Sequence, residues 1–396
     1  MNLQNNKDRD QSDSGEAKPE NNLAKGSSET TREAPSTTEI TAASITEIVE
    51  KLDEDEDVSE LSDYEVEVNA EVTELEVISS TALSSLKVVD TISFSDYVNY
   101  TNQLSPGVNN QFDFHFLAWF IGFVEGDGHI SQRRAKIVFK TTGEESTYIR
   151  IALQIGQKDA RLIEIIQKKL GFGKTSFYQN KKWGIMHRLT VEKKEHVQRL
   201  LHLFNGNLVL PKRYVQFKKW VSMARQKNIC PPNFSLKKQR VKVSLKNAWL
   251  AGFIESEGCF YAHYRKKTHR GRTSIGYKLD QKVSLGQADT YGEKLVFEEI
   301  LLLFNSSGQV HVRKDNSVHI ELSARPIRRL LIDYFTQFPN FPLLGIKRIA
   351  AIRSYRLYLF WEDVLEKRRN EHTTEQEAEK ILKQCRDVNN FKKLVK

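Results

Sequence analysis

The chain has 396 residues, enough for about two to three domains, and its 60 basic and 51 acidic side chains give a formal net charge of +9. The charge is unevenly distributed: residues 1–110 carry 7 basic and 24 acidic side chains, whereas residues 111–396 carry 53 and 27, an excess typical of polyanion-binding proteins. Three cysteines without a close pair exclude a disulfide scaffold and a cysteine-based zinc site, and no apolar run reaches the roughly 18–20 residues of a membrane helix.

Residues 1–110 are predicted to form an acidic disordered tail. Up to about Thr41 the sequence consists of Ser, Thr, Asn, Glu, Lys and Pro with almost no aromatic residue. Such a segment buries too little apolar surface to offset the entropy of the chain. Its acidic composition is also unlike an organelle-import presequence, which is rich in arginine and poor in acids.

An internal repeat begins after Phe112. The segment Trp119–Gly128 (WFIGFVEGDG) aligns without gaps with Trp249–Gly258 (WLAGFIESEG), 130 residues farther along, and Ile155–Asp159 aligns with Leu285–Asp289 at the same offset. One structural unit is therefore duplicated. We expect the first repeat over residues 111–227, a basic linker over 228–243, the second repeat over 244–361 and a charged C-terminal helix over 362–396.

In the first repeat, apolar and amphipathic periodicity predicts helices over Phe114–Glu125 and Ala160–Leu170. Residues Tyr148–Gly156 alternate between apolar and polar side chains, which indicates a half-buried strand. Weaker strand patterns cover Gly173–Tyr178 and Gly184–Val191. The repeat is therefore a mixture of helices and antiparallel strands.

The second repeat has the same order of elements. Helices are predicted over Leu245–Glu255 and Tyr291–Phe304, and an alternating strand over Gly276–Gly286. A hairpin follows, with Val310 and Val312 on the inner face of its first strand. Its second strand directs Val318, Ile320 and Leu322 inward, and the intervening turn is formed by Asp315 and Asn316.

Small residues recur at every fourth position of the two apolar helices. Positions i and i+4 lie on one face of a helix, so each helix has a flat surface that permits close approach of another backbone. We therefore predict that the two repeats pack through these helices about a pseudo-two-fold axis. The predicted helix interface comprises Ala118, Gly122, Gly126, Ala248, Gly252 and Ser256.

Both helices end in paired acidic residues, Glu125 and Asp127 in one and Glu255 and Glu257 in the other. A carboxylate at a helix C-terminus opposes the helix dipole at a cost of about 0.3–1 kcal/mol, and two such sets side by side repel each other. A divalent cation would convert this repulsion into coordination. The structural alternative is that the glycine after each helix forms a C-cap, and the two interpretations are compatible.

These residues resemble a known family. Phe120–Gly128 and Leu250–Gly258 are similar to the two copies of the LAGLIDADG motif, and the chain resembles the monomeric, two-repeat homing endonucleases encoded in organellar group I introns. The resemblance covers about Phe112 to Leu359. It implies an α+β fold with two pseudo-symmetric αββαββα repeats packed through the LAGLIDADG helices. The antiparallel sheets would form a DNA-binding saddle, and the disordered N-terminal tail lies outside it.

The resemblance also implies the catalytic residues. Asp127 and Glu257 occupy the position of the metal-binding catalytic acids, whereas Glu125 and Glu255 occupy a more structural position. Glu257 departs from the usual aspartate, and its longer arm alters the geometry of the metal site. The implied cofactor is Mg²⁺, with two or three ions at the repeat interface. Further implied residues are the catalytic Gln157 (with Gln287 as its equivalent), Lys212 and Lys347, and Gly126 and Ser256 at the metal site. A solvated helix N-terminus is the alternative for either lysine.

DNA recognition is expected on the outward faces of the strands. Arginine fits the guanine edge and glutamine the adenine edge in the major groove, while lysine more often contacts phosphates. Because the two faces differ in sequence, the target should be asymmetric. The expected DNA-binding residues are Ser131, Arg133, Arg150, Gln154, Tyr261, His263, Arg265, Lys278, Lys282, Gln309, His311 and Arg313.

The resemblance implies Mg²⁺-dependent cleavage of both DNA strands at a long, asymmetric site. The implied biological role is intron homing. The alternatives are an RNA maturase that assists splicing of the host intron, a protein with both activities, and a catalytically silent DNA-binding regulator. Retention of both Asp127 and Glu257 favours the nuclease. The expected partners are double-stranded DNA and, for a maturase, host intron RNA, with no membrane and no obligate protein partner. We expect a monomer in the mitochondrion, with the plastid as the alternative.

Overall fold

A computed structural model describes residues 64–67, 86–104, 111–139, 145–268, 275–367 and 375–390, all within the compact unit Asp63–Lys396. For 64–67, 131–139, 145–149, 266–268, 275–277, 367 and 375 the description is limited to the backbone. Most of the predicted acidic tail therefore lies outside the described residues. Among those that are described, no helix combines the length and apolar character needed to cross a bilayer.

The elements follow the duplicated order predicted from the sequence. Before the first repeat lie β1 (Tyr64–Glu67), β2 (Lys87–Val89) and α1 (Ser95–Leu104). The first repeat comprises α2 (Phe114–Asp127), β3 (Gly128–Phe139), β4 (Glu145–Gln157), α3 (Ala160–Leu170), β5 (Lys174–Asn180), β6 (Gly184–Val191), α4 (Lys194–Phe204) and α5 (Pro211–Gln226). The linker contains β7 (Gln239–Val241). The second repeat comprises α6 (Trp249–Glu257), β8 (Cys259–Thr268), β9 (Ile275–Ala288), α7 (Lys294–Leu303), β10 (His311–Val312), β11 (Ser317–Leu322), α8 (Arg325–Thr336) and α9 (Lys347–Lys367), and α10 (Glu375–Asn389) follows.

Each repeat builds one antiparallel sheet. The first sheet has the strand order β1-β3-β4-β6-β5, and the second has the order β10-β11-β9-β8. Ile151, Leu153 and Ile155 are buried on one face of β4, and Val318, Ile320 and Leu322 are buried on β11. The α+β architecture is confirmed, although each repeat ends in two helices rather than the single helix of the implied αββαββα unit.

The helices α2 and α6 pack against each other through their small residues. A Cβ atom added to Gly122 would lie 2.0 Å from the carbonyl oxygen of Trp249, and one added to Gly252 would lie 1.8 Å from that of Trp119. A Cβ on Gly126 would lie 1.9 Å from Ser256 Oγ. These separations are shorter than any van der Waals contact, so the backbones approach as closely as they do because these positions lack side chains. Ala118 and Ala248, the remaining small residues, are buried at 1% exposure each.

The prediction of a tail through residue 110 is wrong for residues 86–104. Strand β2 pairs in parallel with β7 of the linker, and α1 buries Tyr97 and Thr101. Tyr100 Oη donates a hydrogen bond of 2.6 Å to Gln198 Oε1 on α4. Strand β1 also pairs with β3. These elements are stabilised by partners far away in the chain, which the local composition does not reveal.

Two further expectations are corrected. The charged C-terminal helix predicted over residues 362–396 is two elements, because α9 continues to Lys367 and α10 is separate. Helix α10 buries Ile381 and Val388, and the Asn389 side-chain amide both accepts from the Ala262 N–H (2.9 Å) and donates to its carbonyl (2.8 Å). Val312, predicted to face inward, is 54% exposed because β10 contains two residues only.

Candidate active site

The two motif helices bring their terminal acids together. Asp127 is the last residue of α2 and Glu257 the last residue of α6, and the following glycines lead directly into β3 and β8. A Cβ on Gly126 would lie 3.1 Å from Glu257 Cγ, so the two helix ends are in direct contact. The pseudo-two-fold relation of the helices therefore places one carboxylate from each repeat at a shared centre.

Each acid is held by a glutamine at the end of a neighbouring strand. Gln157 Nε2 donates a hydrogen bond of 2.7 Å to Asp127 Oδ2, and Gln287 Nε2 donates one of 3.0 Å to Glu257 Oε1. Strand β4 ends at Gln157 and strand β9 ends one residue after Gln287, so the same construction occurs in both repeats. The amide fixes the orientation of each carboxylate and leaves its other oxygen available.

The surroundings raise the pKa of both acids. Although solvent reaches the Asp127 carboxylate, the protein packed around it removes much of its hydration and raises its pKa, against the effects of Lys347, Gln157 and Arg213. Desolvation likewise raises the pKa of Glu257, and the nearby charge of Asp127 raises it further. Two partly desolvated carboxylates that repel each other constitute a site at which a cation is favourable.

Basic residues from both repeats surround this centre. Lys347 Nζ donates a hydrogen bond of 2.5 Å to the carbonyl of Ser256, and burial lowers its pKa. Arg213 makes the corresponding contact in the other repeat, with Nη2 donating to the carbonyl of Gly126 at 2.7 Å and Nη1 to that of Gly128 at 2.8 Å. Cations at helix C-termini compensate the dipole and the terminal acids.

Lys212 lies at the start of α5, next to Arg213. Burial and, to a smaller extent, the nearby charge of Arg213 lower its pKa to about 8, against the opposing charges of Glu293 and Glu257. Lys212 thus belongs to repeat one but interacts electrostatically with the terminal acid of repeat two. Lys347 shows the reciprocal arrangement, because it lies in repeat two and interacts with Asp127.

The earlier acids of the motif have a different environment. Glu125 Oε1 accepts the N–H groups of Val209 and Leu210 at 2.8 and 2.9 Å, and Glu125 Oε2 accepts from Trp249 Nε1. Glu255 Oε2 accepts two backbone N–H groups of the loop before α9. Both side chains are buried, and burial raises the pKa of Glu125 to about 7. These acids cap loops and do not face the shared centre.

Two carboxylates cap a loop of the opposite repeat. Asp159 Oδ2, in repeat one, accepts the N–H of Ile346 before α9 at 3.1 Å. Glu293 Oε1, in repeat two, accepts the N–H of Lys212 at 2.7 Å. A carboxylate at a helix N-terminus satisfies a free N–H group and interacts favourably with the dipole. These cross-repeat caps position the two lysines at the shared centre.

The residues at this centre fit a hard divalent cation. The available donors are all oxygens, namely the carboxylates of Asp127 and Glu257 and the carbonyls of Gly126 and Ser256. Each of these carbonyls already accepts one hydrogen bond, from Arg213 and Lys347, and retains a second lone pair. No group of three or more His, Cys, Asp or Glu side chains with metal-site geometry occurs in the described part of the chain.

The predicted DNA-binding residues are distributed over both sheets. Register places Ser131 opposite Ala152 and Arg133 opposite Arg150, but the side chains of Ser131 and Arg133 are outside the described part. Gln154 is half-buried on β4, and Gln309 is exposed in the loop before β10. The other predicted residues that are exposed on the second sheet or its hairpin are Tyr261, His263, Arg265, Lys278, His311 and Arg313.

Several of these cations form ion pairs with neighbouring acids. Arg150 contacts Glu192 at 2.7 Å, and Lys282, which is half-buried, contacts Glu321 at 2.5 Å. Lys278 contacts Asp280, which also binds Arg265. Exposed ion pairs contribute at most about 1 kcal/mol, so a phosphate can displace the acid. The pairing keeps these long side chains ordered on the sheet.

Sequence reasoning missed Arg213 and the cross-repeat caps. Arg213 is adjacent to the predicted Lys212, but its acceptors are backbone carbonyls, which no side-chain pattern reveals. The caps by Asp159 and Glu293 join residues that are far apart in the chain. The aligned Gln-x-Asp segments were the one available signal for Asp159.

The family model described as LAGLIDADG endonuclease matches residues 120–224 and 250–354, which together make up more than half of the chain. The chain belongs to the LAGLIDADG endonuclease family. Both matches begin within the motif helices, so the family assignment rests on the elements that carry Asp127 and Glu257.

Three relatives that are named as intron-encoded proteins match parts of the chain. A Neurospora crassa protein named probable intron-encoded endonuclease 4 is 33% identical over 172 residues, 42% of this chain and 28% of the relative. A Schizosaccharomyces pombe protein named probable intron-encoded endonuclease Cox1-I1b is 27% identical over 240 residues, 55% of this chain and 58% of the relative. The Saccharomyces cerevisiae intron-encoded RNA maturase bI4 is 28% identical over 152 residues, 38% of this chain and 20% of the relative. The chain thus spans about a quarter to just over half of the first two of these relatives.

The fold of the meganuclease I-SmaMI, solved bound to uncleavable DNA, matches with a TM-score of 0.53 at 16% identity. The match covers 69% of this chain and 98% of that protein. At this identity the likeness concerns the fold alone.

Proposed function

We propose that this chain is a site-specific homing endonuclease that hydrolyses phosphodiester bonds in both strands of a DNA duplex. The observation that carries the proposal is the pairing of Asp127 and Glu257 at one centre, each held by a glutamine of its own repeat and each near a lysine of the other. Two related half-sites suit two antiparallel strands, because the strands of a duplex are themselves related by a two-fold axis.

The chain's own residues supply binding, orientation and charge. Asp127 and Glu257, with the carbonyls of Gly126 and Ser256, would hold Mg²⁺, which activates water and stabilises the leaving 3′-oxygen. Gln157 and Gln287 keep the two carboxylates oriented. Lys212 and Lys347 place positive charge where the phosphate becomes more negative during hydrolysis.

The outward faces of the two sheets bind the target. Their arginine and glutamine side chains can read base edges, and their lysines can contact phosphates. The two faces carry different residues, so we propose a long asymmetric target. We further propose a monomer that acts in intron mobility in the mitochondrion, which the intron-derived names of the relatives support.

The direct test is a cleavage assay with Mg²⁺ on a library of intronless target genes, using the full chain. We expect double-strand breaks at one site. Asp127→Asn and Glu257→Gln should each reduce cleavage of one strand by about a hundred-fold or more, the loss typical of removing one group from a catalytic electrostatic cluster. Binding to the cleaved site should persist in both variants, because neither change removes a DNA-facing cation.

The maturase alternative is supported by the similarity to the yeast RNA maturase and is decided by the same preparation. If the protein cleaves no library member but binds intron RNA tightly and accelerates its splicing, the nuclease proposal is wrong. Cleavage that is unchanged in both acid variants would also contradict it, because the reaction would then occur elsewhere. Cleavage together with RNA binding would retain the nuclease and add the second activity.

A further inference from the structure

An exposed tryptophan lies at the tip of the β5–β6 hairpin. Trp183 is 53% exposed, whereas the other four tryptophans of the chain, at positions 119, 220, 249 and 361, are at most 6% exposed. A large aromatic side chain at a surface loses favourable apolar burial, so an isolated exposed tryptophan beside other functional groups often marks an interaction site.

The turn that carries Trp183 is well defined. Asn180 Oδ1 accepts the N–H groups of both Lys182 and Trp183 at 2.9 Å, and Gly184 adopts a φ of +78°, which favours glycine. The side chain is therefore presented on an ordered turn.

Two lysines lie over the indole ring. Lys182 Nζ is 4.9 Å and Lys158 Nζ is 5.3 Å from the ring centroid, within the range of cation–π interactions. Lys181, the adjacent turn residue, is also exposed. We call Lys158, Lys182 and Trp183 the lysine–tryptophan tip. Ammonium groups gathered around one ring repel each other, so the tip is suited to a polyanion that also offers a flat apolar surface.

The tip lies next to the candidate active site. Lys158 directly follows Gln157, whose amide binds Asp127. In the sheet register, Gln157 is opposite His187, four residues beyond Trp183 on the same hairpin. A duplex seated at the shared centre would therefore meet the tip beside the acid of repeat one.

Repeat two has no equivalent tip. The residue after Gln287 is Ala288 instead of a lysine. The corresponding turn, residues 313–316, carries the exposed cations Arg313 and Lys314 beside Asp315 and Asn316, but it has no aromatic side chain. The Asn316 side chain donates to the carbonyl of Asp289 at 2.8 Å, so this turn is bonded to its own repeat. The two halves of the site therefore differ in what they offer to DNA near the reacting phosphates.

We infer that the lysine–tryptophan tip binds the DNA duplex beside the phosphate served by Asp127. Lys158 and Lys182 contact backbone phosphates, and the Trp183 indole packs against the sugar and base edges between them. The tip positions one strand only, so cleavage of the two strands depends on it unequally. This inference rests on the proposed endonuclease function and assigns to Trp183 a positioning role for one of the two strands.

Tryptophan fluorescence tests the inference directly, because Trp183 is the exposed indole of the chain. Acrylamide quenching of the full-length protein should fall when the duplex that carries the recovered cleavage site is added without Mg²⁺. If no site is recovered, a random-sequence duplex at low ionic strength is the probe, since phosphate contacts then dominate binding. Trp183→Phe should show little quenching and no change with DNA.

Cleavage provides the second measurement. Trp183→Ala should slow nicking of one strand by about ten-fold, a loss in the range of one aromatic–base contact, and should leave the other strand within two-fold of the wild type. Trp183→Phe should retain most of the activity. Lys158→Ala and Lys182→Ala should each reduce the log–log salt slope of binding by about one, while Lys383→Ala, a matched exposed lysine on α10, should not.

The outcomes separate the two proposals. If the duplex binds and is cleaved but Trp183 stays equally accessible to acrylamide, the tip inference is wrong and the endonuclease stands. If single-stranded RNA protects Trp183 and the duplex does not, the tip is an RNA site, which also overturns the inference. If no duplex binds even at low ionic strength, the proposed endonuclease function itself fails.

Discussion

Gln157 Nε2 donates a 2.7 Å hydrogen bond to Asp127 Oδ2. The donor ends a strand and the acceptor ends a helix, so the bond joins the sheet to the motif helix at the point where chemistry is proposed. A hydrogen bond to a carboxylate stabilises its charged form and opposes the desolvation that raises the pKa of Asp127. The glutamine thus favours the ionised form of the acid.

Removing this amide should change the pH dependence of one strand more than that of the other, because the two acids are coupled through the charge of Asp127. In Gln157→Ala the pKa of Asp127 rises further, so the acidic limb of nicking by repeat one moves to higher pH. Gln287→Ala is the matched variant and should move the limb of the other strand, because Gln287 lowers the pKa of Glu257. Strand-specific nicking rates measured across the acidic and neutral range test this. Equal shifts of the two limbs in the same direction in either variant would contradict the assignment of one glutamine to each acid.

Lys212 should impose a basic limit on the reaction. Its pKa is lowered to about 8, so its ammonium is charged below that pH and neutral above it. If the charge stabilises the reacting phosphate, cleavage falls about ten-fold per pH unit above about pH 8. Lys212→Arg should abolish that fall, since arginine stays charged, and Lys212→Met should be slow at every pH. An unchanged profile in Lys212→Arg would show that another group titrates.

The close contact of α2 and α6 predicts severe effects of small substitutions. Gly252→Ala would place a methyl group 1.8 Å from the Trp119 carbonyl oxygen, and Gly122→Ala would place one 2.0 Å from that of Trp249. Separation of the helices should lower the free energy of unfolding by roughly 3 kcal/mol or more. Gly286→Ala is the control, because its Cβ would lie 3.4 Å from the nearest atom. Urea unfolding of the three variants measures the difference, and equal midpoints would refute the packing argument.

Glu125 should make stability depend on pH. Its pKa is about 7 in the folded protein against an ordinary value of 4.5. Below pH 4.5 the carboxyl is protonated in both states. As the pH rises from 4.5 to 7, the unfolded chain releases the proton and the folded protein retains it. The free energy of unfolding should therefore fall by roughly 3 kcal/mol across this window.

Urea unfolding of Glu125→Gln at several pH values isolates this contribution. The difference in unfolding free energy between wild type and variant should change across the window and level off above about pH 7. A wild-type profile that rises with pH relative to Glu125→Gln would mean that Glu125 is ionised in the folded protein.

The helices that were predicted correctly are those whose sequence signals, such as caps and apolar periodicity, lie within the helix itself or next to it. Helix α3 has the predicted bounds because Asp159 caps its first turn and Gly171, at a φ of +75°, ends it. The motif helices were recognised from residues that lie within three turns of one another. In the second motif helix the predicted start at Leu245 is corrected to Trp249, because residues 245–248 form turns before the helix.

Elements that depend on distant partners were not predicted. Helix α1 is stabilised by contacts with α4 and the linker, and α10 is stabilised by contacts with the edge strand β8. Because these partners are distant in the chain, the sequences of both helices taken alone look like charged or polar tails. Alternation also gives no information on where a strand stops, which is why Val312 was assigned to the core. At the site, Asp127 and Glu257 could be predicted because carboxylates at helix C-termini are unfavourable without a cation. Arg213 could not be predicted, because it donates to backbone carbonyl groups, which every residue has.

The reciprocal caps restrict how this chain can be recombined with its relatives. A repeat grafted from another family member would bring its own capped loop. That loop would then lie against the Asp159 or Glu293 carboxylate of the retained repeat, which is positioned for the original loop. Asp159 with the loop before α9, and Glu293 with the start of α5, would have to be transferred as matched pairs. A chimaeric nuclease built from this scaffold should therefore include both partners of each contact in the graft. The two contacts, and not the linker alone, decide where the grafted segment begins and ends.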